Sequence, residues 1–224
     1  MRVNQFLAQA TGISRRRADE LINAGKVTVN NLPVQLGYQV KSSDVVRLNK
    51  QIVANAKLQT IMLHKPAGYV TSRKKQGVTP TIYRLLPDHL HRLKPIGRLD
   101  KDSTGLLLLS NDGDLAQRLT HPSQHKRKHY LVTTDQPLTK AQLAQLNRGV
   151  SLDDGMSIIP ITVGHKGYYQ VRLEEGRNRQ IRRSIQVVGR KVTSLHRDRF
   201  GGLQLGNLAV GEWRSLSPQE AADV

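Results

Sequence analysis

The sequence predicts an α+β protein. A small N-terminal domain of two helices and a short sheet is expected to precede a larger domain built on a mixed, mainly antiparallel β-sheet with flanking helices. Two observations favour this class. Apolar residues recur at helical spacing only in short segments, whereas other apolar segments alternate or run continuously, as in strands. Turn residues join these strands directly, which is typical of antiparallel pairing.

The first domain is expected to span residues 1–57. A first helix is predicted up to Gly12, and Ser14 is a favourable N-cap for a second helix that ends at Gly25. Short strands are predicted over residues 27–29, 32–36 and 44–48, and residues 50–59 resemble a linker.

The second domain is expected to span residues 58–224. A helix capped by Asp114 should end near His121, and another should occupy residues 139–147. Further strands are predicted over residues 130–133, 158–163 and 168–173 and within 192–216.

Charge and composition restrict the function. The chain has 35 Lys and Arg against 17 Asp and Glu, a net charge of +18, which predicts an anionic partner such as nucleic acid. A membrane is a weaker candidate, because no apolar run approaches the ~20 residues that cross a bilayer. No signal-peptide segment follows Met1, so we expect a cytoplasmic protein. The absence of cysteine excludes disulfides and thiol chemistry, and no glycine-rich nucleotide-binding motif indicates a cofactor.

The most informative stretch is GRLDKDSTG at residues 97–105, followed by four leucines. Leucines between glycine and turn residues predict a buried strand, with Asp100 just before it. Arg98 and Lys101 favour the ionised form of Asp100, which makes it a candidate for nucleophilic or base chemistry. Two alternatives remain. Asp100 and Asp102 fit an ordinary turn, and they also match a calcium loop, although Asn111 stands where its bidentate Glu is required.

Two basic clusters are candidate RNA contacts. Arg15, Arg16 and Arg17 occupy the first turn of the second helix, where each cation opposes the helix dipole by roughly 0.3–1 kcal/mol. An RNA phosphate at this helix end explains the placement, whereas a solvated basic face is the alternative. Lys26 follows the helix. The second cluster comprises Lys126, Arg127 and Lys128.

Tyr130 begins a strand directly after this second cluster. A cationic patch beside an aromatic ring is how proteins hold an unstacked RNA base. The alternative is an ordinary half-buried sheet residue. The sequence therefore makes Tyr130 a candidate for contacting a base.

A third basic stretch lies near the predicted core. If residues 178–188 are helical, three apolar side chains form a buried stripe and three arginines share another face. The apolar residues are Ile181, Ile185 and Val188, and the arginines are Arg179, Arg182 and Arg183. Arginines beside an apolar stripe favour a carboxylate or phosphate partner.

These motifs resemble those of pseudouridine synthases, and more narrowly the RsuA/RluB/RluE/RluF group that acts on ribosomal RNA. The resemblance rests on GRLD at 97–100 with STGLLLLSNDG after it, on HKPAG at 64–68, and on RNRQIR at 177–182. The usual isoleucine before the glycine of Arg-x-x-Ile-Gly is Phe200 here. Residues 2–49 resemble the RNA-binding module of ribosomal protein S-four, which by itself implies no chemistry.

The resemblance implies that the protein converts uridine to pseudouridine in ribosomal RNA, with Asp100 as the catalytic carboxylate. It implies that Tyr130 packs on the target base and that Arg182 pairs with Asp100. Arg98, Arg179 and Arg183 join the expected RNA contacts. The family needs no cofactor or metal, and we expect a monomer acting on ribosomal RNA or a pre-ribosomal particle.

Two other functions remain open from the sequence. A non-catalytic RNA-binding or ribosome-assembly factor would bind RNA and leave uridine unchanged. An RNA methyltransferase also fits the N-terminal module, although a glycine-rich cofactor loop is missing.

Overall fold

The computed structural model describes residues 1–74, 77–121 and 126–222, and it confirms the α+β class. The helices are α1 (Val3–Thr11), α2 (Arg15–Asn23), α3 (Gly113–Thr120), α4 (Lys140–Arg148), α5 (Gln180–Val187) and α6 (Pro218–Ala222). The first eight strands are β1 (Val27–Val29), β2 (Leu32–Pro33), β3 (Val46–Leu48), β4 (Gln51–Ile52), β5 (Thr60–Lys65), β6 (Lys94–Ile96), β7 (Thr104–Ser110) and β8 (Lys128–Thr134). The others are β9 (Val150–Leu152), β10 (Gly155–Ser157), β11 (Ile161–Val163), β12 (Tyr169–Leu173), β13 (Val192–Phe200), β14 (Leu203–Gln204) and β15 (Trp213–Ser215).

The N-terminal residues form a small unit in which α1 and α2 pack on a sheet of order β2-β1-β3-β4. The Ser14 side chain accepts the Arg17 N–H, which confirms the predicted cap of α2. The predicted linker is wrong in part, because β4 lies inside it. Asn49 and Lys50 both adopt positive φ, a hairpin geometry that the sequence does not signal without the usual glycine.

The larger sheet has the order β11-β12-β8-β13-β7-β5-β15, with β6 and β14 paired at its side. Its pairs are antiparallel except β13 with β7, which are parallel. Alternate leucines of β7 enter different cores, Leu107 and Leu109 on one face and Leu106 and Leu108 on the other. Both faces of β7 are therefore covered, which explains its continuous apolar run.

Three local predictions need correction. Asp112, not Asp114, caps α3, because its carboxylate accepts the N–H groups of Asp114 and Leu115. The strand predicted over residues 158–163 begins only at Ile161. The β9–β10 hairpin and α6 were not predicted, since such short elements carry little periodicity.

Basic side chains of the larger domain bind the end of α1. Arg73 donates to the Gly12 carbonyl at 2.7 Å, and Lys94 donates to the Ile13 carbonyl at 2.8 Å. Cations near a helix C-terminus satisfy its free carbonyls and interact favourably with its dipole. These contacts fix the α1–α2 connection against the larger domain. Within the three described ranges, no helix combines the length and apolarity needed to cross a bilayer.

Gly105 permits the close approach of β7 and β13. Its φ is +109°, and a Cβ at this position would lie 2.2 Å from the Arg197 carbonyl oxygen. Residues with a side chain rarely adopt such a φ, and no rotamer relieves a clash with backbone. Gly105 is therefore required just beyond the turn that carries Asp100.

We predict that Gly105→Ala lowers the free energy of unfolding by about 3 kcal/mol or more, since strain and a backbone clash combine. Urea unfolding measures this decrease. Gly37→Ala is the matched control, because Gly37 has φ +90° with nothing within 4 Å of its Cβ position. It should cost only about 1–2 kcal/mol. Equal decreases in the two variants would show that the close approach is unimportant.

Candidate active site

A cavity of about 580 Å³ opens between the turn before β7, strands β8 and β13, and the start of α5. The predicted residues that line it are Arg98, Asp100, Lys128, Tyr130 and Arg179. Residues from distant parts of the sequence thus meet at one concave surface. A cavity that combines an apolar wall with a few polar groups is the usual form of a ligand site.

Asp100 lies in the turn directly before β7, and its side chain is 28% exposed. A carboxylate oxygen of Asp100 lies 3.6 Å from Nη1 of Arg179. The Asp100 carbonyl accepts the Ser103 N–H at 3.1 Å, which closes the turn. Asp100 therefore lines the cavity with a partly exposed side chain, while hydrogen bonds to its carbonyl fix its backbone.

Arg182 does not make the ion pair that the sequence predicts. Its guanidinium lies 3.4 Å from the Asp102 carboxylate and donates to the Asp102 carbonyl at 3.0 Å. Arg179 binds Asp102 with two hydrogen bonds of 3.0 and 3.1 Å, in addition to its contact with Asp100. The pairing of Arg182 with Asp100 was implied by the family resemblance, and in this structure Asp102 is the carboxylate that lies beside the Arg182 guanidinium.

Asp102 is the centre of this arginine pair. Its pKa is lowered, first by the hydrogen bonds from Arg179, with a further contribution from the charge of Arg182. The ionised Asp102 carboxylate joins the turn to α5. In the described part of the chain, no group of three His, Asp or Glu side chains has the geometry to bind a metal ion.

Arg183 is bound within the protein. It donates two hydrogen bonds of 3.0 and 2.8 Å to the carboxylate of Asp154 at the tip of the β9–β10 hairpin. This ion pair does not test the predicted phosphate contact of Arg183, whose side chain is 27% exposed, so that contact stays a prediction. The hairpin that supplies Asp154 was absent from the predicted elements, so no sequence pattern indicated this pair.

Lys65 is a residue of the site to which sequence reasoning assigned no role. It is fully buried, and its ammonium nitrogen lies 2.8–3.4 Å from four carbonyl oxygens, those of Pro66, Asp100, Lys101 and Ser103, which share its three N–H donors. Burial lowers its pKa to about 8, while Asp100 and Asp102 oppose that shift. The HKPAG stretch was the available signal. Lys65 binds the backbone of the turn that carries Asp100.

Tyr130 on β8 is only 9% exposed and packs in the larger core, yet its side chain also lines the cavity. Both sequence interpretations of Tyr130 are therefore compatible with its position. Lys128, two residues earlier, donates to the Glu174 carbonyl at 3.0 Å. Arg127 is exposed and pairs with the Glu174 carboxylate at 3.0 Å, and Lys126 is partly exposed before β8.

The basic cluster of the small domain lies on its surface. Arg15, Arg16 and Arg17 are exposed in the first turn of α2, and Lys26 is exposed before β1. Arg17 forms an ion pair with Glu20 at 2.7 Å. An exposed pair of this kind contributes little to stability, so Arg17 remains available to a phosphate.

Two family models match this chain. The model of the RNA pseudouridylate synthases matches residues 59–186, and that of the S4 domain matches residues 1–46. This chain belongs to the RNA pseudouridylate synthase family. The resemblance inferred from the sequence motifs is thereby confirmed.

Individual members of the pseudouridylate synthase family are similar to this chain over nearly its whole length. Dual-specificity RNA pseudouridine synthase RluF of Escherichia coli K12 is 35% identical, covering 100% of this chain and 78% of that protein. Ribosomal large subunit pseudouridine synthase B of Bacillus subtilis is 35% identical over 98% of this chain and 93% of its own. A crystal structure of pseudouridylate synthase superposes with a TM-score of 0.71 at 31% identity, covering 100% and 99% of the chains.

The lowered pKa of Lys65 leads to a prediction about stability. Between pH 8 and 10.5 the unfolded chain binds more protons at this residue than the folded protein does, so the free energy of unfolding should rise with pH. Relative to Lys65→Met, the wild-type protein should gain stability across this range and none below pH 7. Urea unfolding at several pH values measures the difference. Exposed Lys140→Met should show no such divergence from wild type, and parallel curves for Lys65→Met would contradict the prediction.

Proposed function

We propose that this protein converts specific uridines of ribosomal RNA to pseudouridine. In this reaction the N1–C1′ bond of uridine breaks, the uracil turns, and a bond forms between C5 and C1′. The observation that carries the proposal is the Asp100 carboxylate at an open cavity with Tyr130 in its wall, in a pseudouridylate synthase. Ribosomal RNA is proposed because a full-length relative is named for the ribosomal large subunit.

Asp100 is the proposed catalytic residue. An ionised carboxylate at the ribose either attacks C1′ or removes the C2′ proton, and both routes release the base. Lys65 and the Asp102–arginine cluster hold the turn, so the Asp100 carboxylate has a fixed direction. Most glycosidases need a second carboxylate, but here no water has to be activated because the uracil is retained.

Tyr130 is proposed to contact the target base. A uridine within folded RNA must leave its stack to reach Asp100, and the extruded base then needs an aromatic or apolar surface. The partly buried ring of Tyr130 provides that surface beside the carboxylate. Arg182 is proposed to act indirectly, by fixing Asp102 and the Ser103 hydroxyl of the same turn.

RNA is proposed to bind both domains, taken as residues 1–57 and 58–224. The small domain contributes Arg15, Arg16, Arg17 and Lys26. The catalytic domain contributes Arg98, Lys128 and Arg179 in the cavity lining, Lys126 and Arg127 directly before Lys128 in the chain, and Arg183 on α5. The contacts of Arg73 and Lys94 with the α1–α2 connection give these two surfaces a fixed relation. We propose that the protein acts as a monomer without a cofactor or metal.

We predict that Asp100→Asn lowers the rate of pseudouridine formation by at least about 10³-fold, since the amide is a poor nucleophile and base. RNA affinity should change little. The measurement maps pseudouridine in ribosomal RNA from cells that lack this protein. At least one pseudouridine should be missing, and the wild-type gene should restore it.

Asp88→Asn is the control, because the Asp88 side chain is fully exposed and lies outside the cavity lining. It should restore the modification, whereas Asp100→Asn should not. Full restoration by Asp100→Asn would remove the catalytic assignment. A complete set of pseudouridines in cells without the protein would instead favour a non-catalytic RNA-binding factor.

We predict that replacing Arg15, Arg16 and Arg17 together with Ala weakens RNA binding and flattens its salt dependence. The slope of log affinity against log salt should fall by at most about 0.9 for each phosphate that the variant no longer binds. Titration of RNA binding at several salt concentrations measures it. A triple Ala variant at exposed Lys140, Arg148 and Lys191 removes the same charge from other surfaces. If both variants change the slope equally, the α2 cluster makes no specific contact.

A further inference from the structure

The cavity wall includes a buried cation whose hydrogen bonds are incomplete. Arg197 on β13 is 2% exposed and lines the cavity. Its Nε donates to the Leu106 carbonyl at 2.8 Å, and its guanidinium lies 5.0 Å from the centre of the Phe200 ring. Its Nη2 is buried and has no hydrogen-bond partner. A buried donor without an acceptor is costly, so the arrangement favours a partner that the protein does not supply.

A second cation lies near the same ring. The Lys128 ammonium is 5.7 Å from the centre of Phe200, and it also lines the cavity. Among the described residues, no carboxylate lies within 4.0 Å of the charged nitrogens of Lys128 or Arg197. The pKa of Lys128 is lowered, first by burial and then by the charge of Arg197. The charges of Glu174 and Glu175 oppose that shift of the Lys128 pKa. Two largely buried cations beside one aromatic ring nevertheless favour an electron-rich ligand group in this part of the cavity.

Strand register places Arg197 on β13 between β8, which carries Tyr130, and β7, which follows the turn of Asp100. Arg197 pairs with Tyr130 across β8 and with Gly105 across β7. Asp100 lines the same cavity. A nucleotide that enters base first, with its ribose at Asp100 and its base on Tyr130, brings the uracil carbonyls toward the interior. Its phosphates stay with the RNA chain outside, so a donor buried this deeply meets the base.

We propose that Arg197 donates a hydrogen bond to a carbonyl oxygen of the target uracil and stabilises the base as it departs. This proposal rests on the proposed function. When the N1–C1′ bond breaks, its electron pair leaves with the uracil, and the negative charge spreads to O2 and O4. A guanidinium already in place stabilises that charge without reorganisation. The closing steps form the C5–C1′ bond, return Asp100 to its starting state, release the C5 proton and protonate N1. Arg197 keeps its protons throughout.

The test compares Arg197→Met with wild type on a ribosomal RNA fragment that carries the uridine identified by mapping. We expect kcat to fall by about 10²-fold or more with KM little changed. The melting temperature of Arg197→Met should stay close to that of wild type, so unfolding does not explain the lower kcat. An apolar side chain can replace a buried charge beside Phe200. Arg197→Lys, which keeps the charge, should recover part of kcat. Arg199→Met, two residues along β13 at an exposed ion pair, should keep the wild-type kcat.

A binding measurement separates contact with the base from contact with a phosphate. The probes are the same RNA fragment with the target uridine and with an abasic ribose at that position. Wild type should bind the uridine RNA more tightly than the abasic RNA, and Arg197→Met should reduce that difference by a smaller factor than it lowers kcat, because Tyr130 still contacts the base. Equal decreases of affinity for both RNAs, an unchanged kcat, or a kcat that falls only with the folded fraction would each overturn the proposal. If wild type converts no uridine, it is the proposed function that fails.

Discussion

The candidate site depends on a buried ammonium that binds backbone carbonyls. Lys65 ends β5, and its Nζ contacts the carbonyls of three residues in the turn before β7. An unpaired buried cation is costly, but carbonyl oxygens and the nearby carboxylates of Asp100 and Asp102 offset that cost. The same contacts fix the backbone from which Asp100 projects. Folding and positioning of the carboxylate are thus linked through one side chain.

The two carboxylates of the turn that Lys65 binds, those of Asp102 and Asp100, have different partners. Asp102 is 48% exposed, but two arginines bind its carboxylate and lower its pKa. Asp100 has one longer ion-pair contact and faces the cavity. The two carboxylates therefore differ in how free they are to contact a substrate. The first joins the turn to α5, and the second remains accessible to a ribose.

Sequence reasoning was most accurate where a residue's environment is local. The Ser14 cap, the buried leucines of β7 and the apolar stripe of α5 follow from spacing along the chain, and the structure contains each of them. It failed where partners are distant. Arg182, which the family resemblance pairs with Asp100, instead binds Asp102. Helical periodicity says which face a side chain occupies, and it does not identify the group opposite.

The sequence alone determined the family, the fold class and the position of Asp100 directly before the buried strand β7. All three follow from short motifs and hydrophobic patterns that are visible in the sequence itself. Only the tertiary structure decided which cations are engaged. Lys65 ends the apolar strand β5 and Arg197 lies in the largely polar strand β13, and the carbonyls of Ser103 and Leu106 that they bind belong to segments far away in the chain. Burial and hydrogen bonding across strands are properties of the folded sheet, so no local pattern encodes them.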